Sequence, residues 1–166
     1  IAAYPDLPIS GYPQFNAPGS VLEAMKAIGV DLVSNATNHT LDWFSDGAIS
    51  SINNLETLDI LYSGSYKDQD DFQTPRIIEK NGIKLGFLSY TYGTNGIPIP
   101  YGEEYIVSML DLDVILSEVE WLKPQVDAVV VTLHMGPEYG EWPDDQQQYH
   151  FQALSDAGVK LILGGH

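Results

Sequence analysis

Residues 127–133 read Asp-Ala-Val-Val-Val-Thr-Leu, and this run constrains the fold more than any other feature of the chain. A strand on a half-solvated sheet alternates apolar and polar side chains. One that stays apolar throughout is covered on both faces. Helices packed over a largely parallel sheet supply that cover, so the run points to an α/β layered architecture.

The remaining sequence supplies the layers. Residues 1–19 contain four prolines and three tyrosine or phenylalanine residues, and read as an irregular approach segment. Ser20 is placed to cap a helix carrying Val21, Met25 and Ile28 at helical spacing, closed by Gly29. Residues 30–33 form a short buried strand. Ser45 or Asp46 can cap a second helix with Ile49, Ile52 and Leu55 on its inner face. Residues 60–62 resume as strand, and 67–72 are an acidic polar loop. Residues 75–80 and 83–90, joined by Asn81-Gly82, have the pattern of a hairpin with a two-residue type I′ turn. A glycine- and proline-containing loop, 91–102, could border a site. Asp111 caps a helix with Leu112, Ile115, Leu116, Val119 and Leu122 as its stripe, ending near Pro124. After the apolar run, Asp144 or Asp145 opens a last helix to Ala157. Gly158 terminates it, and 159–163 form a final buried strand.

Three polar clusters follow three of these strands: Asn35-Ala36-Thr37-Asn38-His39, His134-Met135-Gly136-Pro137-Glu138 and Gly164-Gly165-His166. Ligands of open α/β sheets bind beyond the carboxyl ends of the strands, so clusters far apart in sequence can converge there. Three of the four histidines occupy such ends. Taken singly, each reads as a hydrogen-bonding loop residue, and Asn38 as a turn residue. As a set they suggest a metal site, and the pattern alone leaves both readings open. His150 lies within the last helix and reads as a packing or solvent-facing residue.

Charge narrows the chemistry. Seven Lys and Arg against 23 Asp and Glu give a formal charge of −16. Such a surface repels nucleic acid and anionic headgroups. An anionic substrate then needs a local cation, and a metal ion is the obvious one. No cysteine is present, which excludes disulfides, zinc–thiolate sites and thiol nucleophiles. No run approaches the ~20 apolar residues of a membrane span.

Several segments carry a family resemblance. Gly11-Tyr12-Pro13-Gln14-Phe15-Asn16-Ala17-Pro18 looks like the approach segment of the CapA family, the bacterial poly-γ-glutamate capsule-synthesis proteins. Residues 27–42, ending Asn35-Ala36-Thr37-Asn38-His39-Thr40-Leu41-Asp42, resemble its Asn-Asn-His-x-x-Asp signature, with Thr37 replacing the first Asn. Residues 132–139 resemble its His-Trp-Gly-x-Glu-Tyr block, with Met135 replacing Trp. Residues 156–166 match the approach to its Gly-x-His-Pro-His motif, stopping at the first His. Order and spacing agree over almost the whole chain. Asn54-Leu55-Glu56 also resembles a family element, but it falls in mid-helix and is read as coincidence.

That family is similar to the calcineurin-like metallophosphatases. The resemblance implies a layered sandwich of mixed β-sheets flanked by helices, with two metal ions between the sheets. It implies Asn38, His134 and His166 as ligands of one divalent ion (Mn, Fe or Zn), and His39 as the catalytic histidine acting on a phosphoester oxygen. Asp42 is read as orienting His39 or capping the next segment, and Glu138 as an outer partner or rim residue. The family's Gly-Asp strand is expected before Ile1 and its last histidine after His166. The chain is therefore expected to be one domain truncated at both ends, with an open site that need not hold metal. The implied partners are the capsule polymer or its precursor and other capsule-synthesis components, outside the cell membrane and anchored to it in the full-length protein. Three function classes stay open: a metal-dependent hydrolase, a non-enzymatic component of a polyglutamate synthesis or export complex, and a glycan- or peptide-binding module. The last would use Tyr62, Tyr90, Tyr92, Tyr101, Tyr139 and Trp142.

Overall fold

The elements run α1 (Ser20–Ala27), β1 (Leu32–Ser34), α2 (Phe44–Thr57), β2 (Leu61–Ser63), α3 (Gln69–Gln73), β3 (Arg76–Lys80), β4 (Ile83–Thr91), α4 (Leu112–Leu122), β5 (Ala128–His134), α5 (Asp145–Asp156) and β6 (Leu161–Gly165), with 3₁₀ turns at Glu104–Ile106 and Lys123–Gln125. This is a computed structural model describing Tyr4 and residues 6–166; the rest of the expected approach segment, residues 1–3 and 5, lies outside the described residues. β1 and β2 pair in parallel as one small sheet, and β3-β4-β5-β6 form a second. In the second, only the β3–β4 hairpin is antiparallel. The arrangement is the expected α/β layering of mixed sheets flanked by helices.

The apolar run has become β5, and Val129, Val130, Val131 and Leu133 are all buried. Because successive side chains point to opposite faces, neither face of β5 is left to water. Ile115, Val119 and Leu122 of α4 and Leu154 of α5 join it in the largest core cluster. Each such side chain contributes ~1.5–3 kcal/mol when fully buried. Asp111 caps α4, accepting from the amides of Asp113 and Val114. Asp144 caps α5 through a reciprocal capping box with Gln147. The hairpin turns at Asn81 and Gly82, both at positive φ, with Lys80 opposite Ile83.

Four local expectations are corrected. α1 starts at Ser20 itself, with Gly19 at the cap position and no side-chain cap. It buries Leu22, while Val21 and Ile28 are exposed. α2 begins at Phe44 with Trp43 at the cap position and no side-chain cap, so Ser45 lies inside the helix, where its hydroxyl donates to Glu103. Residues 67–72 are not all loop: Asp68 caps the short α3, whose Asp71 pairs with buried Arg76. Arg76 also stacks on Tyr62 and Tyr66. Finally, β6 is not buried. It pairs on one side only, at the end of the sheet order, and Leu161 and Leu163 are about half exposed.

The two sheets meet at Gly64, just after β2. Its φ is +95°, and a Cβ there would stand 2.5 Å from Ala36 Cβ and 2.7 Å from the Ser89 carbonyl oxygen. Only glycine meets both demands. Gly64→Ala is expected to cost about 2–4 kcal/mol, from left-handed strain plus overpacking against rigid neighbours. Chemical denaturation measures this; a loss under about 0.5 kcal/mol would show that the junction yields freely. The same push reaches Ala36, two residues before Asn38.

Candidate metal centre

Strand register carries the histidines to one edge. Thr91 of β4 pairs with His134 of β5, and His134 pairs with Gly165 of β6. The three parallel strands therefore finish level, and His166 follows directly. The Tyr92 amide donates to the His134 carbonyl, and the Met135 amide to the Gly165 carbonyl. The His134 and His166 rings lie 5.0 Å apart between centroids.

The smaller sheet delivers the other half. After β1 the chain turns tightly through Asn35–Asp42, pinned by the Thr40 hydroxyl, which donates to the Asn35 carbonyl at 2.6 Å. Asn38 is buried, and its Oδ1 accepts a 2.9 Å hydrogen bond from His134 Nε2, so in the metal-free protein the His134 proton sits on Nε2. Residues 96 apart in sequence thus meet, as the strand-end argument required. The Asn38 amide nitrogen donates to Asn95 Oδ1 at 3.1 Å.

His39 faces Asp42, whose carboxylate oxygens lie 2.9 and 3.0 Å from Nδ1. A carboxylate only accepts here, so the proton sits on Nδ1 and Nε2 keeps a free lone pair. Asp42 is buried. It accepts from the Phe15 amide at 2.8 Å, and its backbone carbonyl accepts from the Gln14 side chain. The Phe15 ring sits edge-on to His39, with centroids 4.6 Å apart. The approach segment therefore seats the His39–Asp42 pair from behind.

His166 Nδ1 lies 2.5 Å from the Gly136 carbonyl. That contact places its proton on Nδ1 and leaves Nε2 as the lone-pair nitrogen. Glu138 stands 3.5 Å from Nε2 and is mostly exposed, a rim position. Tyr92 packs on both histidines, at 6.3 Å from the His134 ring and 4.9 Å from His166. His150 is elsewhere, buried in α5 with Nδ1 on the Gln146 carbonyl. The His166 and His39 side chains are 11% and 24% exposed, and the surrounding Tyr92, Asn95 and Glu138 are exposed.

Burial lowers the His134 pKa from its ordinary 6.5, with the neighbouring His166 and His39 adding to the effect. His134 is thus a neutral donor at pH 7. A histidine with a depressed folded pKa contributes stability that is fully present above the unfolded value and is lost as pH falls through the folded one. In metal-free protein, acidification below pH 6.5 is therefore expected to lower the urea midpoint. His134→Gln is expected to flatten that pH dependence; an unchanged slope would contradict the assignment.

Two ligand atoms at about 2.1 Å from one ion, seen at a right angle, stand about 3 Å apart. The 2.9 Å between Asn38 Oδ1 and His134 Nε2, a hydrogen bond in the metal-free protein, equals the spacing two such ligand atoms would have once the ring proton moves to Nδ1. Two imidazoles and an amide oxygen suit Mn, Fe or Zn. Among the described residues no group of three or more His, Cys, Asp or Glu could hold an ion, so an ion at His134 and His166 would need the Asn38 oxygen as well. Sequence reasoning missed Asn95 and the part Phe15 plays. The only signal for Asn95 was its turn-forming Asn-Gly pair. Of the aromatics proposed as a binding surface, Tyr62 and Tyr90 are core residues, whereas Tyr101, Tyr139 and Trp142 are exposed. Among the described residues no helix is long and apolar enough to cross a membrane.

Residues 1–166 match the family described as bacterial capsule synthesis protein PGA_cap. The capsule biosynthesis protein CapA of Bacillus anthracis is 26% identical over 155 residues, covering 91% of this chain and 38% of that protein. The PGA biosynthesis protein CapA of Bacillus subtilis (strain 168) is 26% identical over 148 residues, covering 87% and 38%. The chain thus spans 38% of the length of these relatives. Among solved structures, a Staphylococcus aureus protein assigned as a 5′-nucleotidase superposes with a TM-score of 0.60 at 14% identity, over 89% of this chain and 31% of that one. The Thermus thermophilus sulfate thiohydrolase SoxB gives 0.55 at 20% identity, over 89% and 26%. At these identities the likeness is one of fold, and that fold is metallophosphatase-like.

Proposed function

The chain belongs to the PGA_cap family of bacterial capsule synthesis proteins, and from that premise we propose that its histidine cluster is a metal-dependent hydrolase site used in capsule assembly. The bond cleaved is a phosphoester or a related one. The observation that carries this reading is the convergence of Asn38 Oδ1 and His134 Nε2 at 2.9 Å, on the edge where both sheets end.

Asn38, His134 and His166 would hold a divalent ion. When bound, that ion supplies Lewis acidity and local positive charge, which a chain of net charge −16 otherwise lacks for an anionic substrate. The other steps fall to the protein. Asp42 holds the Nδ1 proton of His39, which fixes the ring and leaves Nε2 for chemistry. Nε2 can hold or deliver a proton at a phosphoester oxygen, a contribution of ~10²–10⁴-fold to rate. Tyr92 and Phe15 limit ring motion and exclude water from behind the histidines.

The names of the solved neighbours, a nucleotidase and a thiohydrolase, agree with hydrolysis as the reaction class. The names of the CapA relatives, a capsule and a PGA biosynthesis protein, support a role in poly-γ-glutamate capsule formation, and on our reading the protein acts at the cell surface on the polymer or its precursor together with other capsule components. The test uses the complete protein, stripped by chelator and reloaded with Mn²⁺, Fe²⁺ or Zn²⁺. Hydrolysis of bis(p-nitrophenyl) phosphate is expected to vanish and return with the ion. Retained poly-γ-glutamate binding without any metal-dependent turnover would instead identify a non-enzymatic component.

A further inference from the structure

Asn38 can offer a ligand only if its amide oxygen, rather than its amide nitrogen, faces His134. The two orientations have nearly the same shape, so a partner must choose between them. Asn95 is that partner. Its Oδ1 accepts from Asn38 Nδ2 at 3.1 Å, and an oxygen can only accept here. With Nδ2 held by Asn95, Asn38 Oδ1 is left facing His134 Nε2. Resting on the metal-site reading above, we infer that Asn95 is a positioning residue that sets the ligand face of Asn38.

Asn95 also has an ordinary structural explanation. Asn95 and Gly96 have φ of +53° and +80°, and the Ile97 amide donates to the Thr94 carbonyl at 3.0 Å. These features define a type I′ turn, in which asparagine is favoured for its tolerance of left-handed backbone. The turn is further tied by the Thr94 hydroxyl on the Ile97 carbonyl. None of these bonds uses the Asn95 side chain, so turn geometry and side-chain function are separable. Asn95 Nδ2 also lies 3.4 Å from His39 Nδ1. The proton on that nitrogen goes to Asp42, so this contact is packing rather than a hydrogen bond.

Two variants divide the explanations. Asn95→Gly suits a type I′ turn at least as well as asparagine and removes the acceptor. Asn95→Asp tolerates the same backbone and keeps an acceptor for Asn38 Nδ2. If Asn95 positions Asn38, the glycine variant loses ~10–100-fold in Mn²⁺ affinity, the usual cost of removing a group that orients a ligand. Its unfolding midpoint stays within about 2–4 °C of the parent. The aspartate variant keeps wild-type Mn²⁺ affinity to within a few-fold. A second readout needs no metal: NMR of the Asn38 side-chain amide in metal-free protein, where Asn95→Gly is expected to release those protons to faster solvent exchange and Asn95→Asp is not. Wild-type amide protection and wild-type Mn²⁺ affinity in Asn95→Gly would overturn the inference. Failure of the parent protein to bind Mn²⁺ would remove the metal reading, and the amide measurement would then decide the positioning role by itself.

Discussion

Replacing His134 by alanine in the complete protein is expected to lower divalent-metal affinity by at least ~10–100-fold. That range is typical for removing a group that merely orients a ligand, and loss of a donor atom should exceed it. His134 is the residue to change because it joins the two halves of the site. It ends β5, a strand of the main core, and meets Asn38 from the other sheet at 2.9 Å. The side chain is only half-buried and its backbone pairing does not involve the ring, so the fold should persist. Its lowered pKa keeps it neutral at pH 7, so an ion need only shift the one ring proton from Nε2 to Nδ1 and does not displace a charge. Calorimetric titration with Mn²⁺ measures the loss. His150→Ala is the comparison, since His150 lies in α5 with its own backbone partner and should leave affinity unchanged. Wild-type affinity in the His134 variant would remove the site.

His39→Ala is expected to behave differently. Metal affinity should stay near that of the parent, while the hydrolytic rate falls by ~10²–10⁴-fold, the range of general acid–base help. The reasoning is geometric. His39 is tied through Nδ1 to Asp42, whereas Asn38 and His134 meet directly through the hydrogen bond that an ion would replace. Asp42 would keep the Phe15 amide as partner, so the variant leaves that buried carboxylate with a hydrogen bond. Parallel metal titration and bis(p-nitrophenyl) phosphate turnover separate binding from chemistry. Equal loss of metal from the His39 and His134 variants would end this division of roles.

Much of this was legible before any coordinates. The unalternating run of β5, the Asp111 and Asp144 caps and the Asn81-Gly82 hairpin are local signals, and each was realised. The convergence of Asn38 with His134 was also foreseeable, because strand ends of an α/β sheet share one edge. What failed depended on tertiary context. α1 carries apolar residues on more than one face, and packing against α2 and β2 selected Leu22 and Met25 over Val21 and Ile28. Residues 159–163 are apolar enough for a central strand, yet β6 lies at the sheet's end, with half-exposed leucines. Ser45 has the chemistry of a helix cap, but the helix starts before it, at Phe44, and its hydroxyl donates to Glu103, 58 residues away. Asn95 was hidden for a related reason: an Asn-Gly pair announces a turn, and nothing local reveals which side chain the turn presents it to.

The most direct test of the central claim is X-ray absorption on the complete protein loaded with one equivalent of Zn²⁺. The arrangement of Asn38, His134 and His166 predicts a mixed nitrogen and oxygen shell, with imidazole nitrogens at about 2.0–2.1 Å and their outer-ring scattering visible. That imidazole signal should weaken in the His134→Ala protein. A shell of oxygen alone, unchanged by the substitution, would place the ion elsewhere and contradict the account.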